Sequence, residues 1–157
     1  MFRRILVPLE HTPTDDTILD YIRTLARECR SSVVLIHVAD GWVARNIKQL
    51  DLRESEEMRD DREYLERVTS ALQAEGLDCD SVLAAGEPAR EIADAAVREQ
   101  CDLIAMATHG HRGLNDVVRG SVASEVRHAS MVPVLMVRAK KSEASRKNVA
   151  EKRQEEP

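Results

Sequence analysis

A chain of 157 residues with 43% apolar content is long enough for one domain with a full core and too apolar to be disordered. A formal net charge of −5 excludes a chain-wide basic face for non-specific nucleic-acid binding, although it leaves room for a local basic patch. The only aromatics, Phe2, Tyr21, Trp42 and Tyr64, are too few for a platform that stacks single-stranded bases.

Met1-Phe2-Arg3-Arg4 leads straight into a short apolar run, so no secretory leader is read there. No apolar stretch approaches the ~20 residues of a membrane span. The cytoplasm is the expected location. Cys29, Cys79 and Cys101 are widely spaced among apolar neighbours and form no CxxC or metal-ligand pattern. They are expected to be reduced, mostly buried thiols.

Ile5-Leu6-Val7-Pro8-Leu9 is a short run of strand formers. Thr12-Pro13-Thr14-Asp15-Asp16 then opens a helix, with Thr12 as cap, Pro13 at the first helical position and the aspartates in the first turn. Ile18, Tyr21, Ile22, Leu25 and Ala26 follow at helical spacing. Ser32 to Val38 is a second strand, continuously apolar as suits a sheet covered on both faces. Its His37 is expected to be a satisfied core histidine.

Ala39 to Leu50 is a loop. Leu52 to Glu75 is a long charged helix whose apolar stripe is Met58, Leu65, Val68 and Leu72, stopped by Gly76. Its charged residues are most simply a solvated face laced with i,i+4 pairs. Cys79 to Ala85 is a third strand. Pro88 sits near the start of the next helix, with Ile92, Ala93, Ala96 and Val97 expected to face inward. Asp102 to Ala107 is the fourth strand, Ser121 to Ser130 a helix, and Val132 to Arg138 the fifth strand. From Ala139 to Pro157 Lys, Arg, Glu, Ser and Asn dominate, and the segment is read as a charged, disordered C-terminal tail.

Strands alternating with helices imply parallel pairing through right-handed crossovers, hence an open α/β sheet with helices on both faces. Ligands in such sheets sit at the carboxyl ends of the strands, where the strand order reverses. Those ends are Leu9-Glu10, Val38-Ala39 and Ala107-Thr108. After the fourth strand, Thr108 to Ser121 is a glycine-bearing turn that leads into a helix N-terminus. Small residues allow close backbone approach, and the unpaired N–H groups and dipole of a helix start favour an anion. Gly110, Gly120 and Ser121 are therefore candidates to cradle a phosphate. Arg112 is either a phosphate contact or a solvated loop arginine. His109 and His111 lack a third ligand nearby and are read as loop histidines, not as a metal pair. The spacing Gly110-His111-Arg112-Gly113 also matches the loop of an RNA-binding KH domain, but that loop needs a helix on both sides and here a strand precedes it. No nucleic-acid partner is expected.

Three pieces of the chain resemble the universal stress protein family. Ile5-Leu6-Val7-Pro8-Leu9-Glu10 is similar to its opening strand, which usually ends Pro-x-Asp. Leu35-Ile36-His37-Val38 is similar to its second strand. Ala107-Thr108-His109-Gly110, nine residues, then Gly120-Ser121 resembles its nucleotide signature, Gly-x-x-Gly, nine residues, Gly-Ser/Thr. The ending Pro133 to Val137 also matches. The resemblance covers residues 1–138, leaving 139–157 as the tail. It implies a five-stranded parallel sheet in order 3-2-1-4-5, of the Rossmann-like type found in adenine nucleotide alpha hydrolases. It also implies a homodimer through Val132–Arg138 and bound ATP or AMP, with Mg²⁺ as companion ion.

Carried over, Pro8, Leu9 and Val38 border the adenine and Glu10 replaces the ribose-binding carboxylate. Ala107, Gly110, Gly120, Ser121 and Val122 surround the phosphates. Ala107 stands where the pattern prefers Gly, and would distort the cradle if the backbone there needed a positive φ. Glu10 stands where Asp is usual, one methylene longer. No Ser/His/Asp or Cys/His set and no Walker-type loop with Lys occurs, so no enzyme activity is expected beyond incidental ATP hydrolysis. The expected function is a stress-response or signalling module that binds adenine nucleotide. The alternative is a nucleotide-free dimeric interaction protein with a degenerate site, to which Ala107 and Glu10 lend weight. No protein partner can be named.

Overall fold

The computed structural model describes residues 1–39, 56–108 and 122–139. These form five strands, β1 (Arg4–Pro8), β2 (Ser32–Ala39), β3 (Cys79–Ala85), β4 (Leu103–Thr108) and β5 (Val134–Arg138). Among the described residues four helices connect them: α1 (Asp15–Cys29), α2 (Glu56–Ala74), α3 (Pro88–Arg98) and α4 (Val122–Ala129). All pairings are parallel and the order is β3-β2-β1-β4-β5, as the resemblance implies.

Alternation along each strand divides the core into two layers. Ile5, Val7 and Leu9, with Val33, Leu35, Leu103 and Ala105, pack under α1 and α2. Leu6, Val34, Ile36, Ile104 and Met106 pack against α3 and α4 on the other face. Both faces are covered, which is why these strands are continuously apolar.

Helix α2 ends at Gly76, whose φ of +85° permits the turn in which Leu77 N–H reaches the Leu72 carbonyl. Helix α3 begins at Pro88, and the carboxylate of Glu87 accepts from the N–H groups of Ala89 and Arg90. That cap occupies the helix N-terminus with the chain's own carboxylate. In α3 the inward residues are Ala89, Ile92, Ala95 and Ala96, whereas Val97 is 69% exposed and Ala93 half-buried. The helix phase lies one position away from the expected one.

The start of α1 also differs from expectation. The helix begins at Asp15, not near Pro13, and Thr12 does not cap it. Asp15 turns backward instead, and its carboxylate accepts from the N–H groups of Glu10, His11 and Thr12. The side chain that organises this connection therefore lies after the turn. Cys79 and Cys101 are buried and Cys29 half-buried, all as free thiols. The tail from 140 onward, Trp42 and the loop 40–50 lie outside the described residues.

Candidate nucleotide site

Strands β1 and β4 are parallel neighbours, but the chain goes on from β1 to β2 on one side and from β4 to β5 on the other, so the connections part at their carboxyl ends. An open cleft of about 200 Å³ lies there. Pro8, Leu9 and Glu10 from the end of β1 form one side, and Ile36, His37 and Val38 of β2 the next. Met106 and Ala107 of β4 and Val122 of α4 stand opposite, with Pro88 and Ile92 of α3 closing the base and Asp15 at the turn. Six sequence-assigned residues, Pro8, Leu9, Glu10, Val38, Ala107 and Val122, come together in this one cleft. Gly110, Arg112, Gly120 and Ser121, along with His109 and His111, lie outside the described residues.

Hydrogen-bond alternation in β2 gives Val38 a particular role. Val33 N–H addresses the β3 side through Asp78, while Ser32 N–H and the Ile36 carbonyl address the β1 side through Arg3 and Leu9. Even-numbered residues of β2 thus turn their N–H and C=O toward β1. Strand β1 has ended at Pro8, and its register with β2 closes at Ile36. The N–H and C=O of Val38 therefore point past the end of β1 into the cleft. One donor beside one acceptor, flanked by apolar walls, can read the edge of a planar heterocycle.

Ala107 is accommodated without strain. It is paired with Val137 within β4, and it is not among the residues of positive φ. The methyl group stands on an extended backbone, so the distortion considered for a positive φ does not arise.

The sequence reading missed a buried polar cluster behind Leu9 and His37. Asp15, 2% exposed, also accepts from the Tyr64 hydroxyl at 2.7 Å. Burial, and then this bond to the Asp15 carboxylate, push the Tyr64 phenol well above its ordinary value. Tyr64 stacks on His11 at 4.1 Å between ring centroids. His11 has a φ of +59°, uncommon for a residue with a side chain. Its backbone is held by Asp15, and its Nδ1 lies 2.8 Å from Asp61 Oδ1. His37 is satisfied, as expected, between the Leu9 carbonyl and Asp61. Its surroundings differ from expectation, since it lines the cleft and is not sealed in the core. No group of three or more His, Cys, Asp or Glu placed to hold a metal occurs among the described residues.

An open parallel sheet in order 3-2-1-4-5, with a cleft where the strand order reverses, defines a Rossmann-like α/β domain. The chain belongs to the universal stress protein family, whose sequence profile matches residues 1–138. It is 26% identical over 162 residues to Universal stress protein MJ0577 of Methanocaldococcus jannaschii, covering 90% of this chain and 98% of that one. It is 27% identical over 148 residues to Universal stress protein YxiE of Bacillus subtilis, covering 88% and 100%. The solved structure of MJ0577 superposes with a TM-score of 0.70 over 90% of this chain and 99% of that one. A universal stress protein solved in complex with dAMP, from Archaeoglobus fulgidus, superposes at 0.64 with 20% identity, covering 85% and 96%. Another, solved in complex with cAMP, superposes at 0.72 with 16% identity, covering 88% and 99%. At those identities the last two show the shared fold. No helix among the described residues is long and apolar enough to cross a membrane.

Proposed function

We propose that this chain binds an adenine nucleotide, ATP or AMP, in the cleft at the carboxyl ends of β1, β2 and β4. It acts as a homodimeric stress-response or signalling module, not as an enzyme. The observation that carries this reading is the convergence of Pro8, Leu9, Glu10, Val38, Ala107 and Val122 around one cleft, with the Val38 backbone turned into it. The relatives solved with cAMP and dAMP support the class of ligand. The base lies between apolar walls against Val38. Glu10 meets the ribose. The phosphates extend past Ala107 and Val122, and Gly110, Arg112, Gly120 and Ser121 are the residues of the sequence between them that would contact the phosphates.

The test is mass spectrometry of nucleotide released from freshly purified protein, followed by melting with ATP or AMP and Mg²⁺. A nucleotide at a hundred times its Kd raises stability by about 2.7 kcal/mol. No released nucleotide and no shift at millimolar concentrations would favour the nucleotide-free interaction protein.

The homodimer forms through Val132–Arg138. Strand β5 is the edge of the sheet, and its Leu135 and Met136 are 39% and 44% exposed. An apolar edge with unpaired backbone groups invites the same strand of a second copy, and a two-fold pairing covers both edges. Light scattering at micromolar concentration is expected to give a dimer for the wild type and a monomer for Leu135→Pro, which removes a backbone donor from the edge. A wild-type monomer, or a dimer indifferent to this substitution, removes the interface.

A further inference from the structure

The connection from β1 to α1 begins with a turn over residues 9–12 that is held from two sides. Its first residue belongs to the sheet. Leu9 N–H donates to the Ile36 carbonyl at 2.8 Å, and the Leu9 carbonyl accepts from His37 Nδ1 at the same distance. Glu10, His11 and Thr12 give their N–H groups to the carboxylate of Asp15 instead. His11 sits in the left-handed region at φ +59°, which a residue with a Cβ adopts at a cost. Such a backbone persists only where its surroundings over-determine it.

The second hold comes from α2. Asp61 and Tyr64 stand three residues apart on one face of that helix. Asp61 is 6% exposed, and its Oδ1 lies 2.8 Å from His11 Nδ1. A carboxylate only accepts, so the His11 ring is the donor. The Tyr64 ring stacks on the His11 ring with 15° between their planes. Its hydroxyl donates to Asp15 Oδ2 at 2.7 Å, the same oxygen that accepts from His11 and Thr12. Arg67 lies over the Tyr64 ring at 5.5 Å. Tyr64 thus bears on the turn twice, through the ring of His11 and through the carboxylate that gathers the N–H groups.

We propose that Asp61 and Tyr64 are positioning residues for the sugar end of the cleft, setting the carboxylate of Glu10 by clamping the turn that carries it. The division falls between Leu9 and Glu10. Leu9 is fixed by β2, and Val38 beside it pairs with Ala84 of β3. Glu10 stands at the exposed rim, one residue before the strained His11. When the clamp from α2 is lost, His11 returns to a negative φ and Glu10 turns with it. Recognition of the base survives, and recognition of the sugar does not. The consequence for ligand rests on the nucleotide reading of the cleft, with Glu10 at the ribose. The hold of α2 on the turn does not.

The experiment compares wild type with Tyr64→Phe, which keeps the ring on His11 and removes the bond to Asp15. Each protein is titrated by calorimetry with AMP and with 2′,3′-dideoxy-AMP, which keeps base and phosphate but lacks both ribose hydroxyls. A hydrogen bond to a charged group is worth about tenfold in Kd or more, so wild type should prefer AMP by about that factor. In Tyr64→Phe the preference should shrink to about threefold, with affinity for the dideoxy nucleotide unchanged. His11→Ala, which removes both ring contacts, should shrink it further. An equal loss for both nucleotides is what a merely structural role gives, and it overturns the proposal. So does a wild type that binds AMP without distinguishing the two, or a variant that binds both as wild type does.

The second arm needs no ligand. Amide exchange followed by NMR on the full chain should show Glu10, His11 and Thr12 exchanging faster in Tyr64→Phe. Leu9 should not change, because its acceptor is the Ile36 carbonyl. Unchanged exchange at all three overturns the proposal, whatever the nucleotides do. If wild type binds neither nucleotide while these amides respond, the nucleotide reading falls and the hold of α2 on the turn stands.

Discussion

The two ends of the sheet use carboxylates in different ways. At the amino ends of the strands, Asp102 accepts from the backbone N–H groups of Arg3 and Arg4, joining the start of β1 to the start of β4. Arg4 reaches Asp80 of β3 and Glu99 after α3 at 3.5 and 3.7 Å, all partly open to water. At the carboxyl ends, Asp15 and Asp61 are buried and gather donors from elements some fifty residues apart. The amino end is held by groups that water can replace. The carboxyl end spends two buried charges on shaping a turn beside a cleft, although a buried charge stabilises little beyond its desolvation. That asymmetry sets the carboxyl end apart on geometry alone, with two buried carboxylates beside the cleft.

The sharpest way to break the comparison is to remove one carboxylate from each end. Asp15→Ala leaves three backbone N–H groups and the Tyr64 hydroxyl without their acceptor. It should cost about 3 kcal/mol in urea unfolding, because breaking a buried charged network strands its partners. Nucleotide binding should go with it, since Leu9 and Glu10 lose their anchor. Asp102→Ala should cost about 1 kcal/mol and leave the cleft intact. Burial raises the Asp102 carboxyl, but the N–H groups of Arg3, Arg4 and its own backbone outweigh this and hold it below its ordinary 3.8. A depressed folded value means its contribution is present above about pH 4 and fades as pH falls below. Equal losses for Asp15→Ala and Asp102→Ala would remove the distinction between the two ends.

Much of this was legible in the chain because each element carried its own signal. Apolar runs marked β1, β2, β4 and β5, Gly76 marked the end of α2, and Pro88 the start of α3. Of the six site positions that meet in the cleft, Leu9, Glu10, Val38 and Ala107 were legible as strand ends from the same runs, whereas Pro8 and Val122 came with the family resemblance. The polar cluster was not legible, since His11, Asp15, His37, Asp61 and Tyr64 come from separate elements. One signal was present. Asp61 falls on the stripe of Met58, Leu65, Thr69 and Leu72, at helical spacing, where a solvated charge does not belong. The start of α1 was misread because Thr12, Thr14, Asp15 and Asp16 are all competent caps. Which one turns back is decided by the tertiary position of Glu10 and His11.

Alkali probes the amino end separately. Cys79 at the start of β3 and Cys101 before β4 are buried there, and burial, the main cause, pushes their thiols up to about 12 and about 11. A group whose folded value is raised lends stability below its unfolded value, near 9, and loses it as pH climbs through the folded one. Tyr64, also raised, acts with the same sign at the other end. Stability should therefore decline from about pH 9 upward. At pH 8 a small alkylating reagent should modify Cys29 first, with Cys79 and Cys101 reacting at the rate of opening. Prompt labelling of Cys79 in native protein would contradict its burial.

The smallest expected effect concerns Glu10, the carboxylate at the cleft rim. Its backbone N–H is fixed by Asp15 Oδ1 at 2.9 Å, and that bond is untouched by a change of side chain. Glu10→Asp should then change stability by no more than about 0.5 kcal/mol. Only the reach of the carboxylate alters, by one methylene. If that group meets the ribose, the shorter side chain, with fewer rotamers to order, keeps or improves nucleotide affinity. Calorimetry on the two proteins at one pH gives the sign. A large loss of affinity in Glu10→Asp would mean that the longer side chain makes a contact of its own, with a metal or a different ligand. The carboxyl end would then owe its selectivity to this residue and not to the buried pair behind it.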